Sequence, residues 1–140
     1  MIINKFIVCL KENDALDAYP AESWDYAWYN LWRPIGGVVK KNPLVVMDAS
    51  TLKREDIINY SASKDRKGYA AVPLFEQAQR LYYVPDMRPD EVLVIKQMDT
   101  RKGRAFVSPH TSFDDPSSPD DAPERESIDI RFMCVFPKEP

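Results

Sequence analysis

The number and positions of the prolines limit the regular structure that this chain can form. The 140 residues contain twelve prolines and only four glycines. Six of the prolines stand at the ends of apolar runs: Pro34, Pro43, Pro73, Pro85, Pro109 and Pro137. Because proline has no N–H group to donate and has a fixed φ, it suits strand ends and turns and disrupts helix interiors. The sequence therefore predicts many short elements separated by turns.

The apolar runs between these prolines favour strands, because they are short and rich in β-branched and aromatic residues. The predicted strands are 26–32, 44–47, 69–75, 80–84, 91–98, 104–108 and 127–136. Helical patterning is weak: we expect one short helix in LKREDIINYSA (52–62) and allow a second in DALDAYPAESW (14–24). Residues 114–124 form an acidic, proline-rich loop. The pattern predicts a mainly β fold, a sandwich or a jelly roll.

Charge and the amino-terminal residues exclude two classes of partner. The net charge is −3 and the pI is near 5.2, so the basic stripe that neutralises phosphates in nucleic-acid binders is missing. The apolar run near the start, FIVCL, is too short for a signal sequence or a membrane span. Cys9 and Cys134 are expected to be reduced thiols. A cytoplasmic protein without a nucleic-acid or membrane partner is expected.

Three residues near the carboxyl end could carry chemistry. His110 is the only histidine, and Arg125 and Ser127 follow it. An arginine fork matches a carboxylate in two hydrogen bonds, and a hydroxyl two residues along a strand points to the same side. The alternatives are a hydrogen-bonded histidine at a strand end and an exposed salt bridge between Arg125 and neighbouring acids. Lys96 is either a solvated edge lysine or a group that reaches an oxoacid.

Five segments resemble the fungal hydroxylase/desaturase family, which has relatives in cephamycin biosynthesis. They are NLWRPI (30–35), PLVVMDAST (43–51), RLYYVPDMRPDEVLVIKQMDTR (80–101), SPHTSFDDPSSPDDAPERESIDIR (108–131) and VFP (135–137). The resemblance covers about residues 28 to 137. It implies an oxidoreductase of secondary metabolism, an Fe(II)/2-oxoglutarate-dependent hydroxylase or desaturase that acts on a small organic substrate. The implied fold is a double-stranded β-helix, or jelly roll.

The resemblance also implies roles for single residues. His110 matches the family's distal iron ligand, and Arg125 and Ser127 match the pair that holds the distal carboxylate of 2-oxoglutarate. The family's H-x-D ligand pair has no counterpart, because a second histidine is missing; Glu12-Asn13-Asp14 has its outline only. Since a facial iron site needs three ligands, His110 alone does not predict a complete one.

This departure shapes the expected organisation of the chain. Residues 1–27 are expected to diverge from the family, and residues 28–140 to form the carboxyl-terminal part of a jelly roll that is incomplete at its amino terminus. An incomplete jelly roll exposes a sheet edge, so a homodimer is expected. The alternative function is a non-catalytic jelly-roll remnant or a small carboxylate-binding module.

Overall fold

The computed structural model describes residues 18–61 and 69–138, and this part of the chain consists almost entirely of strands and turns. The strands are β1 Trp24–Pro34, β2 Leu44–Met47, β3 Ile57–Ser61, β4 Tyr69–Pro73, β5 Leu81–Tyr83, β6 Leu93–Asp99, β7 His110–Ser112 and β8 Ser127–Pro137. Two 3-10 helical turns span Ala49–Thr51 and Arg54–Asp56. None of the helices found in these residues is long and apolar enough to cross a membrane.

The prolines lie where the sequence predicts. Pro34, Pro73 and Pro137 are the last residues of β1, β4 and β8, and Pro43 and Pro109 stand directly before β2 and β7. At these positions a missing N–H group interrupts no continuing ladder. The prediction that proline separates short strands is confirmed.

Two three-stranded antiparallel sheets form the two layers of the fold. The first sheet has the order β6-β1-β8 and the second has the order β5-β2-β7; β3 and β4 form a separate pair. The apolar core between the layers contains Trp32, Val39, Leu44, Met87 and Ile95, with Val46, Val84 and Leu93 packed against it. Trp32 and Ile95 come from the first sheet and Leu44 and Val46 from the second, so this core joins the two sheets.

The first sheet turns its other face outward. Trp32 points into the core, so its neighbour Leu31 and the residues paired with Leu31, which are Val94 and Ile130, point away from it. Val94 is 63% exposed and Ile130 is 54% exposed. An apolar outer face therefore runs across all three strands of this sheet.

Strand β6 contains a β-bulge. Lys96 pairs with Tyr29 and Met98 pairs with Trp28, so Gln97 has no opposite residue in β1. Before the bulge, Ile95 faces the core and Lys96 faces outward. After the bulge, Met98 faces inward beside Trp28 and Asp99 faces outward beside Ala27. Lys96 and Asp99 are three positions apart and would lie on opposite faces of a regular strand. The extra residue of the bulge places them on the same face.

Two local predictions were wrong. The expected helix over 52–62 is a 3-10 turn followed by strand β3, because Ile57–Ser61 pairs with Tyr69–Pro73 instead of closing helical turns. Residues 104–108 form no strand; they cross from β6 to the second sheet, and β7 begins at His110. The second helix, allowed in 14–24, falls partly outside the described residues, which begin at Ala18. From Ala21 the chain makes a turn that leads into β1.

Candidate functional site

His110 stands at the corner where the chain passes from the first sheet to the second. It is the first residue of β7 and pairs with Val46 of β2. Because Val46 packs against the core, the half-buried imidazole of His110 also points inward, toward the first sheet. The corner thus places the one histidine between the two layers.

Both ring nitrogens of His110 have partners. Nδ1 lies 3.2 Å from the carbonyl oxygen of Ser108, and Nε2 lies 3.3 Å from the side-chain nitrogen of Gln97. A carbonyl oxygen only accepts, so the Ser108 contact favours a hydrogen on Nδ1, which leaves the lone pair of Nε2 for the Gln97 amide. This is the tautomer in which Nε2 is able to ligate a cation.

The described residues do not fit a complete iron site. They contain no group of three or more His, Cys, Asp or Glu side chains placed to hold a metal ion. His110 therefore supplies one nitrogen donor and belongs to no such group within this part of the chain. The segment Glu12-Asn13-Asp14, which has the outline of the H-x-D pair, lies outside the described residues.

Arg125 is held against the core and not against an acid. Its Nη1 donates a hydrogen bond to the carbonyl oxygen of Asn42, and its guanidinium carbon lies 5.4 Å from the centroid of the Trp32 ring. Burial lowers the pKa of Arg125. Within the described ranges Arg125 forms no ion pair, and Glu124 pairs instead with Lys41 at 3.0 Å. The surface salt bridge weighed as an alternative for Arg125 is absent from this part of the molecule.

Ser127 opens strand β8 and pairs with Pro34 at the end of β1. Arg125 lies over Trp32 and His110 pairs with Val46, so both residues border the apolar cluster to which Trp32 and Val46 belong. No hydrogen bond joins His110 to Arg125 or Ser127 among the contacts of the described residues. His110 and Arg125 thus border the same apolar cluster, whereas Ser127 lies at the end of the β1–β8 ladder.

A polar pair on the inner face of the first sheet was missed from the sequence. Asn30, at the centre of β1, is 1% exposed and its Nδ2 donates to Asp129 Oδ2 at 2.9 Å. The Oδ1 atom of Asn30 is buried without a hydrogen-bond partner in the described structure. Sequence reasoning had no signal for this pair, because Asn30 and Asp129 meet only through the β1–β8 register.

A cavity of about 440 Å³ opens beside the acidic loop. It is lined by Lys41, Asn42, Asp114, Asp115, Pro116, Ser118, Pro119, Asp120 and Glu124. Ser118 and Glu124 tie the loop to the chain near Lys41, because Ser118 donates to the Lys40 carbonyl at 2.5 Å and Glu124 pairs with Lys41. Four carboxylates against one lysine make this cavity unsuited to a dicarboxylate.

Lys96 fulfils neither role weighed for it. Its Nζ lies 2.7 Å from Oδ2 of Asp99, whose side chain is fully buried. Arg101 closes the other side of the same carboxylate, with Nη2 2.8 Å from Oδ2 and Nε 3.0 Å from Oδ1. Lys96 is thereby committed to a structural ion pair on the outer side of the first sheet.

Comparison with solved structures defines the class. The fold matches the iron and alpha-ketoglutarate-dependent endoperoxidase NvfI with a TM-score of 0.81 and 29% sequence identity, covering 96% of this chain and 48% of that one. A variant of the same endoperoxidase matches with a TM-score of 0.77. The prediction of a mainly β, jelly-roll fold is confirmed.

Residues 13–135 match the family described as oxidoreductase/YMDC permease-like domain, and the chain belongs to this family. The resemblance to fungal hydroxylase/desaturases is confirmed. Hydroxylase/desaturase asaB of Aspergillus flavus is 32% identical, over 94% of this chain and 65% of its own length. Aspirochlorine biosynthesis protein N of Aspergillus oryzae is 34% identical, over 76% of this chain and 47% of its own length.

The name of a third relative includes Fe(II) and 2-oxoglutarate. The Fe(II)/2-oxoglutarate-dependent dioxygenase nvfI of Aspergillus novofumigatus is 34% identical, over 75% of this chain and 39% of its own length. The chain therefore spans about half the length of the curated relatives that it matches.

Proposed function

We propose that this chain is the cosubstrate-binding part of an Fe(II)/2-oxoglutarate-dependent oxygenase that hydroxylates or desaturates a small organic molecule. The observation that carries the proposal is the guanidinium of Arg125, which is half-buried over Trp32 and has no acid partner in the described structure. A half-buried guanidinium without an acid partner suits a ligand carboxylate. The names of the relatives, which include hydroxylase/desaturases and 2-oxoglutarate-dependent dioxygenases, supply the reaction class.

In this proposal, Arg125 and Ser127 bind the distal carboxylate of 2-oxoglutarate and His110 contributes Nε2 to iron. Iron and 2-oxoglutarate supply the oxidative chemistry, and the protein binds and orients them. Two further iron ligands have to come from outside the described residues, so we derive no step at the metal. We further propose that residues 1–27 diverge in sequence from the family, although the family match already begins at residue 13.

The second candidate is a carboxylate-binding module without catalysis. It is favoured by the lack of a metal-binding trio in the described residues. The two functions differ in how the 2-oxo group of the ligand is used: an oxygenase chelates the metal with it, whereas a module that reads only the carboxylate ignores it. Comparison of 2-oxoglutarate with glutarate, which lacks the 2-oxo group, therefore separates them.

The test is anaerobic titration calorimetry with 2-oxoglutarate and glutarate, each with and without Fe(II). An oxygenase site binds 2-oxoglutarate more tightly when Fe(II) is present and glutarate equally in both conditions. A module binds both ligands alike and ignores the metal. If neither dicarboxylate binds at millimolar concentration, both functions are wrong for this chain.

Arg125→Lys tests the residue that carries the proposal. Lysine keeps the charge but loses the planar fork, so we expect dicarboxylate binding to weaken by roughly 1.5–3 kcal/mol. Ser127→Ala should weaken it by less, because a neutral hydroxyl is lost. The matched control is Arg88→Lys, since Arg88 is exposed and paired with Asp90 at 3.1 Å. Unchanged binding by Arg125→Lys would place the ligand elsewhere.

The proposal extends to partners and location. We propose a small organic substrate, a cytoplasmic protein and a homodimer that forms through a sheet edge. Strand β8 supports the dimer, because in the described part of the chain it pairs with β1 alone and its opposite edge has no strand beside it.

A further inference from the structure

The orientation of His110 depends on a contact that no motif contains. Gln97 lies two residues after Ile95 in β6, so its side chain points inward like that of Ile95. The β-bulge leaves Gln97 without an opposite residue in β1. Its amide instead reaches across to the second sheet, where the side-chain nitrogen lies 3.3 Å from His110 Nε2. Bulges re-aim side chains in this way and recur beside active sites.

Ser108 fixes the other side of the imidazole. Its N–H donates to the Lys96 carbonyl at 2.8 Å, and its hydroxyl donates to the Met47 carbonyl at 3.0 Å. The carbonyl of Ser108 then accepts from His110 Nδ1 at 3.2 Å. Ser108 is therefore bonded to both sheets and to the imidazole, so the corner that carries His110 cannot shift without breaking one of these hydrogen bonds.

The contacts of His110 with Ser108 and Gln97 require one ring nitrogen to donate a hydrogen bond and the other to accept one. The Ser108 carbonyl accepts, so it selects a hydrogen on Nδ1; the Gln97 amide nitrogen donates, so it selects a lone pair on Nε2. Free histidine in water favours the opposite tautomer, with the hydrogen on Nε2. The two partners together therefore impose a tautomer that the side chain would not adopt by itself.

We propose that Gln97 is the positioning residue of His110: its amide donates to Nε2, and together with Ser108 it holds the imidazole in the Nδ1–H tautomer with the Nε2 lone pair directed between the sheets. A cation that binds Nε2 has to displace this amide. The displacement rests on the proposed function, whereas the tautomer and the hydrogen bond do not.

Nuclear magnetic resonance tests the proposal directly, because His110 is the only histidine of the chain. Long-range nitrogen–proton correlation of the metal-free protein at pH 8 reports which ring nitrogen carries hydrogen. We expect Nδ1 to be protonated and Nε2 to be bare. A histidine protonated mainly on Nε2 would overturn the proposal, and this measurement needs no variant.

Gln97→Glu replaces the donor by an acceptor of the same shape. The carboxylate selects a hydrogen on Nε2, so we expect the Nε2 resonance of His110 to move to the protonated range. The control Gln77→Glu changes an exposed glutamine and should leave the tautomer as it is. If Gln97→Glu folds and keeps the wild-type resonances, Gln97 does not position the ring.

An engineered metal site tests whether the side chains of residues 97 and 110 lie close together. Gln97→His places a second imidazole opposite His110 Nε2, so we expect Ni²⁺ to bind at least about tenfold more tightly than to wild type. Gln77→His adds an imidazole far from the corner in sequence and should bind no more tightly than a lone histidine. Equal Ni²⁺ affinity of the two variants counts against the geometry.

The outcomes distinguish this inference from the proposed function. Loss of dicarboxylate binding with an intact Nδ1–H tautomer would remove the oxygenase proposal and leave the role of Gln97 in place. Dicarboxylate binding with an Nε2–H tautomer would do the reverse.

Discussion

The carboxylate of Asp99 is buried between two cations. Its side chain has no exposed surface, whereas the side chains of Lys96 and Arg101 are 20% and 26% exposed. Burial by itself would raise the pKa of Asp99, but the hydrogen bonds from Arg101 and Lys96 outweigh it and hold the pKa well below its usual range. The guanidinium of Arg101 also stacks on Phe136, 3.8 Å from the ring centroid. Asp99 thus holds the guanidinium that packs on Phe136 of β8.

The depressed pKa of Asp99 predicts a loss of stability in acid. Because the pKa is lower in the folded protein, the stabilisation is complete above the unfolded value, about 3.9, and is lost as the pH falls from there toward the folded-state pKa. Denaturant unfolding at several pH values should show this fall in wild type. In Asp99→Asn the part of the fall that belongs to Asp99 should be missing.

Asp99→Asn should also destabilise the protein at neutral pH by roughly 2–4 kcal/mol, because two half-buried cations lose their shared partner. Asp90→Asn is the matched control: it removes an exposed ion pair with Arg88 and should change little. Equal stability of Asp99→Asn and wild type would show that the cations reach solvent on their own.

The sequence predicted single residues only where a linear motif marks them. His110, Arg125 and Ser127 were selected by resemblance, and their assignment as site residues stays a prediction. Gln97 and Asp99 were not selected, because both depend on the β-bulge. Plain alternation would place Lys96 and Asp99 on opposite faces of β6, so their ion pair was invisible before the register was known.

At the scale of elements, β1 and β8 close against each other where the predicted carboxylate-binding residues lie. The N–H of Ile35 donates to the Glu126 carbonyl at 3.0 Å, directly beyond the ladder that ends with Pro34 and Ser127. A Cβ added to the next residue, Gly36, would lie 2.7 Å from Oε2 and 2.9 Å from the Cβ of Glu126. The oxygen is at the end of a flexible side chain and can move away, whereas the Cβ is fixed by the backbone. Glycine at this position lets the two chain segments approach, and Glu126 is flanked by Arg125 and Ser127.

Gly36→Ala should therefore destabilise the protein by about 1–3 kcal/mol, the usual cost of overpacking. Two double variants, in which Glu126→Ala or Glu126→Gly is added to Gly36→Ala, test whether the Cβ contact causes the loss of stability. Glu126→Ala keeps the Cβ atom in the conflict, so adding it should restore little stability; Glu126→Gly removes that atom and should restore part of it. Thermal or denaturant unfolding measures all three. Equal behaviour of the two double variants would show that the Cβ contact is not the cause.

Elements were predicted well where local preference and pairing agree. The run LVVM gave strand β2 with the predicted bounds, and the prediction for β8 differs from the observed strand by one residue at its end. Strand β3 was missed because Leu52, Ile57 and Ile58 fit a helical face, and only pairing with the next strand, β4, decides against it. Strand pairing overrides local preference in this way.

At the scale of the whole molecule, the apolar outer face and the edge of β8 lie together. Ile128, Ile130 and Phe132 are 44%, 54% and 37% exposed, and all three belong to β8, which has one strand partner in the described ranges. An edge strand with exposed apolar side chains is a template for pairing with another chain.

We therefore expect the chain to self-associate in a concentration-dependent manner, measured by sedimentation velocity. Ile130→Lys should shift the equilibrium toward monomer, because lysine on an edge strand opposes pairing. Leu81→Lys is the matched control: Leu81 is 57% exposed on strand β5, outside the first sheet. A monomer at every concentration, or equal effects of the two lysines, would exclude a dimer through β8.

The position of the His110 imidazole also depends on the spacing of the two layers. Its Nε2 contacts Gln97 of the first sheet, whereas its backbone belongs to β7 of the second sheet. A core substitution that widens the gap, such as Ile95→Ala, would lengthen the Gln97–His110 contact without touching either residue. A change in the packing of the apolar core therefore also changes where the Nε2 lone pair points.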